Sequence, residues 1–255
     1  MRVRALVSYD GTDYRGFQRQ LDVPTVQEAL ETTLAQVTQE SVTVLAAGRT
    51  DAGVHAVGQV IAFDTAWQHG LRDLQRAMNA VLPPDLAVRE LVEAEADFHP
   101  RYDARSREYR YRVYEAPVRW PIGRRYRLHV AYLLDRGLME EAAQSLVGEH
   151  DFATFGQPPE GEVTVRHVFR VEWSEEPGSC VAVGEVEDGG RVLVFDIEGN
   201  AFLYRMVRSI VGTLLDVGQG RMSVSEFEEA FASCERGQAG KTAAPHGLCL
   251  MRVGY

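Results

Sequence analysis

The sequence predicts an α+β fold built from two ferredoxin-like βαββαβ halves. They are expected to share a mostly antiparallel central sheet, with a positively charged cleft between them. Three observations carry that expectation. Apolar runs of strand length alternate with segments of helical period, and the order strand–helix–strand–strand–helix–strand can be written over residues 1–104. The same order recurs over 105–255, with an inserted strand and an extra helix and no sequence identity to the first half. No low-complexity linker separates the halves, so they are expected to pack as one unit.

Residues 2–9 alternate loosely and read as the first strand. A loop rich in Gly, Asp and Arg follows over 10–24 and ends at Pro24. Thr25-Val26-Gln27-Glu28 has the form of a capping box, in which a hydroxyl and a carboxylate satisfy free N–H groups at a helix start. Val26, Leu30, Leu34 and Val37 give that helix one apolar face. Strands are predicted near 42–47 and 57–63. A second amphipathic helix runs from Leu71 to Leu82, with Leu71, Leu74, Ala77, Met78 and Val81 inward and Pro83-Pro84 as its stop. Leu86 to Val92 closes the first half as a strand.

The second half opens on a long strand, Arg105 to Tyr114, followed by an irregular stretch over 115–130 and a helix from Leu138 to Val147. Strands are expected near 163–173, 180–187 and 191–197. A helix from about Ala201 to Val217 carries a wide apolar stripe of Leu203, Met206, Val207, Ile210, Val211 and Leu214. Tyr204, Arg208 and Gly212 would lie on one i, i+4 row at its margin, where an arginine either snorkels to water or reaches an acid. A shorter helix over Val224 to Cys234 and a strand over Leu248 to Val253 complete the chain.

The stretch richest in chemistry is 46–60, where two apolar runs flank a polar tip carrying Arg49, Thr50, Asp51 and His55. Gly48, Gly53 and Gly58 punctuate it, so the natural reading is two strands joined by a glycine-rich loop. A carboxylate beside an arginine on such a loop suits catalysis. The same pattern also suits a structural Asp–Arg pair in a turn, and pattern alone does not choose.

Bulk composition narrows the function classes. Apolar residues at 45% and charged residues at 25% are ordinary globular values. No apolar stretch approaches the roughly 20 residues of a membrane span, and the N-terminus reads as a strand, so a cytoplasmic protein is expected. Cys180, Cys234 and Cys249 have no CxxC spacing and read as buried small apolar residues. The seven histidines show no HxxxH or HExxH pattern, so no metal site is expected. There is no GxxxxGK[ST] or GxGxxG, so no nucleotide cofactor is expected either. The net charge of −10 does not exclude a nucleic-acid partner, because phosphate contacts depend on local potential. From Arg101 to Arg127, nine arginines face three acids, interleaved with Tyr102, Tyr109, Tyr111, Tyr114, Trp120 and Tyr126. Arginine with aromatics grips phosphates and stacks on bases, and it also builds ordinary cross-strand pairs.

Gly48-Arg49-Thr50-Asp51-Ala52-Gly53-Val54-His55 closely resembles the signature of the TruA family of tRNA pseudouridine synthases. Further blocks fall in that family's order: Tyr9-Asp10-Gly11, Gly16 to Gln20, Val26-Gln27, Asp97-Phe98-His99, Arg107 to Tyr111, Gly148 to Phe152 and Met206-Val207-Arg208. The resemblance spans nearly the whole chain. It implies isomerisation of uridine to pseudouridine at positions 38, 39 and 40 of the tRNA anticodon arm, with no cofactor, by a homodimer that holds one tRNA across both subunits. It also implies a role for particular residues. Asp51 is the nucleophile, Arg208 its ion-pair partner, and Tyr109 the tyrosine that stacks on the target base and is a candidate for removing its C5 proton. Arg49, Arg107, Arg110 and His55 are grouped with the substrate-binding residues, His55 more as a loop-fixing hydrogen-bond partner than as a base. Glu108 departs from the pattern, standing where the family often has a basic residue, and Cys249 stands where an aromatic is common.

Two other readings fit the residues. One is a non-catalytic RNA-binding module. The other is an Asp-nucleophile hydrolase of nucleosides or glycosides, although that chemistry usually wants two neighbouring carboxylates and the signature loop offers one.

Overall fold

The computed structural model describes residues 1–158, 161, 163–176 and 190–255; the strand expected at 180–187, with Cys180, lies outside them. The chain is α+β and divides into two compact units, Met1–Arg107 with Cys249–Tyr255, and Glu108–Leu248.

The first unit runs β1 (Arg2–Tyr9), α1 (Val26–Thr38), β2 (Leu45–Ala46), β3 (His55–Asp64), α2 (Leu71–Val81) and β4 (Leu86–Glu93). β1 pairs antiparallel with β3 and with β4, and β2 pairs antiparallel with β3. The resulting order, β4-β1-β3-β2, is that of a ferredoxin-like half. Alternate residues of β1 are buried, as a strand with one covered face requires. Leu30 and Leu34 of α1, and Leu74 and Met78 of α2, are buried too. Val81, expected inward, is exposed, while Met78 in the same turn is buried.

β2 is much shorter than the strand expected over 42–47: next to it α1 side chains take the Val44 backbone, whose N–H donates to Glu31 Oε1 at 3.0 Å and whose carbonyl accepts Gln27 Nε2 at 3.2 Å. The second edge of β3 is divided: Ile61 and Ala62 face β2, while His55 and Ala56 pair in parallel with Cys249 and Leu250 of the terminal strand, Leu248–Gly254. The capping box expected at Thr25 is half formed. The Thr25 hydroxyl accepts the Glu28 N–H at 3.4 Å, whereas the Glu28 carboxylate lies 3.8 Å from Arg19 Nη2.

The second unit contains β5 (Ser106–Glu115), β6 (Leu128–Val130), α3 (Arg136–Gln144), β7 (Gly148–Asp151), β8 (Val165–Glu175), β9 (Arg191–Gly199), α4 (Met206–Gly218) and α5 (Val224–Ala232); the terminal strand is β10. Its sheet has the order β5-β9-β8-β7, with β6 parallel on β5. Neither β6 nor β7 is legible as a strand in the sequence, since three- and four-residue segments carry too little alternation. A full capping box does occur at the start of α5, where Ser223 and Glu226 satisfy each other's backbone.

α4 starts five residues later than its apolar pattern suggests. Arg205, at the N-cap, takes a left-handed backbone with φ +60°. Tyr204 before it is exposed and donates its N–H to Gln157 at 2.9 Å, so it does not share a helical row with Arg208. Within α4 all residues are buried except Arg208 and Asp216. A helix apolar on nearly every side belongs inside its unit. The expected burial of the cysteines divides: Cys249 is buried and Cys234 is exposed on the loop after α5. Among the described residues no helix is long and apolar enough to cross a membrane.

Candidate active site

The loop joining β2 to β3 is held at many points. Ala47 N–H donates to the Val60 carbonyl at 2.9 Å, and Phe17 N–H donates to the Thr50 carbonyl at 3.0 Å. Asp51 to Val54 form a turn closed by the Val54 N–H on the Asp51 carbonyl at 3.1 Å. Gly53 sits third in that turn with φ +78°, the value a type II turn needs there and one an L side chain resists. On this loop Arg49 is exposed, Thr50 is buried and Asp51 is half-buried. A carboxylate so placed keeps water and reactants within reach while its backbone is fixed on both sides.

His55 opens β3 and is buried. Its Nδ1 accepts the Gly11 N–H at 3.0 Å and lies 3.1 Å from Asp10 Oδ1, which in turn takes the Thr12 N–H and hydroxyl. This bond ties the 10–13 turn to the loop. Gly11 is required by the closeness of that turn: a Cβ there would stand 2.0 Å from the Val54 carbonyl oxygen.

Arg107 and Arg110, both expected among the substrate-binding residues, are engaged inside the protein. Arg107 is buried in the first unit, where Nη2 donates to the Ala47 and Arg101 carbonyls at 3.1 and 2.7 Å and Nη1 to the Ala104 carbonyl at 3.1 Å. Arg110 makes a bidentate ion pair with Asp196, Nε to Oδ1 at 2.7 Å and Nη2 to Oδ2 at 2.9 Å. The hydrogen bond to Asp196 raises the Arg110 pKa above its ordinary value, more than burial lowers it. Arg112 pairs likewise with Glu176 at 2.6 Å. Part of the positive charge of the arginine-rich stretch is therefore neutralised by acids far away in sequence. Glu108, the acidic departure, pairs with Arg170 at 3.1 Å.

The second unit carries Tyr109 and Arg208. Tyr109 is half-buried on β5, and its ring meets Phe202 edge-on, with centroids 5.2 Å apart and planes at 88°. That arrangement is favourable for aromatic quadrupoles and fixes the ring plane. Two residues on, Tyr111 points to the same face of the strand and donates its hydroxyl to the Ala244 carbonyl at 2.7 Å. Arg208, on the first turn of α4, donates Nε to the neighbouring Ala243 carbonyl at 2.9 Å. Burial pushes the Tyr111 hydroxyl pKa up, and the nearby Arg208 charge opposes the rise. Tyr109, Phe202 and Arg208 thus stand on a fixed scaffold within this unit, Phe202 from the connection between β9 and α4.

Phe202 and Gln59 are not among the residues the sequence singles out, and Tyr9 is marked only as part of the Tyr9-Asp10-Gly11 block; Tyr9 and Gln59 lie under the Gly48–Thr50 stretch. Gln59 had a signal: it is an amide within the apolar run Val57–Phe63. Phe202 was absorbed into a helix that in fact begins after it.

The chain is similar to known proteins over nearly its whole length. A family profile described as tRNA pseudouridine synthase matches residues 5–103 and 142–255. A protein of Brevibacillus brevis named tRNA pseudouridine synthase A is 43% identical over 255 residues, covering 100% of this chain and 99% of its own. One of Chloroflexus aurantiacus with the same name is 46% identical, covering 99% of this chain and 88% of its own. A third, from Geotalea uraniireducens, is 40% identical over 100% of this chain and 99% of its own.

Proposed function

The chain belongs to the tRNA pseudouridine synthase family, and from that membership we propose that Asp51 is the nucleophile with which it isomerises uridine. The enzyme is an isomerase acting on uridine in tRNA, tRNA pseudouridine synthase activity of class EC 5.4.99.12. In the reaction the N1–C1′ bond breaks, the uracil turns, and C5 bonds to C1′. The C5 proton leaves and N1 takes one up, so nothing is oxidised and no group is carried away. The observation that carries the Asp51 reading is its place on a half-exposed turn whose backbone is bonded on both sides.

Asp51 must be ionised to add to C1′ or C6, or to take the C2′ proton. A guanidinium opposite favours that state, and Arg208 is assigned this part. Tyr109, its plane fixed by Phe202, is assigned to stack on the target base, and Arg49 to contact a phosphate or fill the space the base leaves. The uridine is extruded from its stack at a cost of a few kcal/mol, which arginine–phosphate contacts and stacking offset. Arg107, Arg110 and His55 are assigned to support rather than to RNA, on the internal partners described above. The anticodon-arm positions 38, 39 and 40, a homodimer and a cytoplasmic location complete the reading.

The test is a tRNA transcript carrying 5-tritiated uridine. The expected result is release of label to water in step with pseudouridine, and sequencing that places it at 38–40. Free uracil that keeps its label would instead mean glycosidic hydrolysis, and binding without release would mean a non-catalytic module. Sedimentation of the purified chain tests the dimer.

A further inference from the structure

We infer that Tyr9, Thr50 and Gln59 are positioning residues for Asp51, a buried hydrogen-bonded frame that grips the Gly48–Thr50 stretch from beneath. The inference rests on Asp51 being the nucleophile and extends that reading to residues that never meet RNA. The Tyr9 hydroxyl and Thr50 Oγ1 are 2.8 Å apart. Gln59 Nε2 donates to the Gly48 carbonyl at 2.8 Å and reaches the Tyr9 hydroxyl at 3.4 Å. Two points of the loop are therefore held, one on each side of Arg49, and the second immediately precedes Asp51.

Three features separate this frame from ordinary core. First, it is dry: Gln59 is 0% exposed, Tyr9 4% and Thr50 7%. Polar side chains in such a place cost more than apolar ones of the same size unless their bonds serve something. Second, the Gln59 amide is orientated by function. The Gly48 carbonyl only accepts, so Nε2 must face it, and Oε1 is left buried without a hydrogen-bond partner among the described residues. An amide that forgoes one bond to keep another is held there for its donor. Third, the strands flanking β1 each carry an extra residue near where it delivers Tyr9. The register of β1 slips against β3 between Val7 and Tyr9, and against β4 between Leu6 and Val7. Tyr9 keeps the covered face that the unbroken alternation of β1 gives it, and the extra residue lies on β3 between Gln59 and Ala56, beside the frame. A carboxylate that must meet a reacting carbon at one angle loses rate when its loop drifts by an ångström.

Tyr9→Phe removes a single oxygen, and Thr50→Val keeps shape while deleting the hydroxyl. Each is expected to lower kcat for tritium release about 10- to 100-fold, with KM for tRNA within about twofold. Thr50→Ser restores the hydroxyl and is expected to recover most of the rate. The double variant Tyr9→Phe/Thr50→Val is expected to be no worse than the slower single variant, because both act through one bond. Unchanged kcat in the singles, a loss confined to KM, or a Thr50→Ser as slow as Thr50→Val would overturn the inference. If Tyr9→Phe loses its cooperative melt, Thr50→Val decides alone, since it leaves Tyr9 and Gln59 in contact. Asp51→Asn in the same assay separates the two layers. An inactive Asp51→Asn beside fully active frame variants refutes the frame only, and an active Asp51→Asn removes the nucleophile itself.

Discussion

Arg107→Met tests whether an arginine from the most basic stretch of the chain serves RNA or the fold. Arg107 is 8% exposed and donates to three carbonyls. Met keeps most of the stem volume and removes every donor. Ala47 is 1% exposed, so its carbonyl is left dry, at about 1–3 kcal/mol for a buried acceptor without a partner. Arg101 and Ala104 are half-buried, and partial rehydration holds each of their losses to about 0.5–1 kcal/mol. Relief from burying a guanidinium offsets part of the sum, leaving about 3 kcal/mol. For a chain of this length that lowers the melting temperature by about 6–12 °C, read by calorimetry. If the two units melt separately, the shift belongs to the first. KM for tRNA and the salt dependence of binding should stay within twofold of the parent. A melting temperature within 2 °C of the parent, together with a raised KM and a shallower salt slope, would refute the reasoning and return Arg107 to the phosphate contacts.

Gly11→Ala places a Cβ against the Val54 carbonyl and should cost about 2–3 kcal/mol in urea unfolding, because backbone, not a flexible side chain, must move; a cost under 0.5 kcal/mol would contradict that crowding. Phe202→Leu removes the edge-on partner of Tyr109, a contact worth about 0.5–1.5 kcal/mol, and should raise KM for tRNA about 2- to 10-fold with the melt little changed; unaltered kinetics would detach Phe202 from the site. The Ser223 backbone and hydroxyl donors hold the Glu226 carboxyl below its ordinary 4.5. A depressed carboxyl stabilises the fold above its unfolded pKa and loses that contribution as pH falls through its folded one. The stability gap between the parent and Glu226→Gln should therefore be full at pH 6 and vanish in the acid range, and a gap that widened on acidification would reverse the assignment.

How much of this was legible in the sequence depended on how local the cause was. β1, α1, α2 and β4 follow from patterns contained within each segment, and the Asp51 turn from its own glycines. The length of β2 is not legible, because the Val44 backbone that would continue it is taken by the side chains of Gln27 and Glu31 on α1, which no strand pattern marks. Counting nine arginines gave a charge without its partners: Arg110 is matched by Asp196, Arg112 by Glu176, and Arg107 by carbonyls that no alternation pattern marks. The start of α4 is not legible because Leu203, ahead of a helix that enters through a left-handed Arg205, is buried like the apolar residues inside it. Tyr9 and Gln59 sat in strands whose apolar neighbours drew the eye; only their hydroxyl and amide, meeting across a slipped register, join them to the loop.

The most direct measurement is single-turnover tritium release by Asp51→Asn, with enzyme in excess over tRNA and binding measured on the same preparation. The account predicts tRNA binding within a few-fold of the parent and no label above background after many parent half-lives. Release within tenfold of the parental rate by a folded, tRNA-binding Asp51→Asn would contradict it.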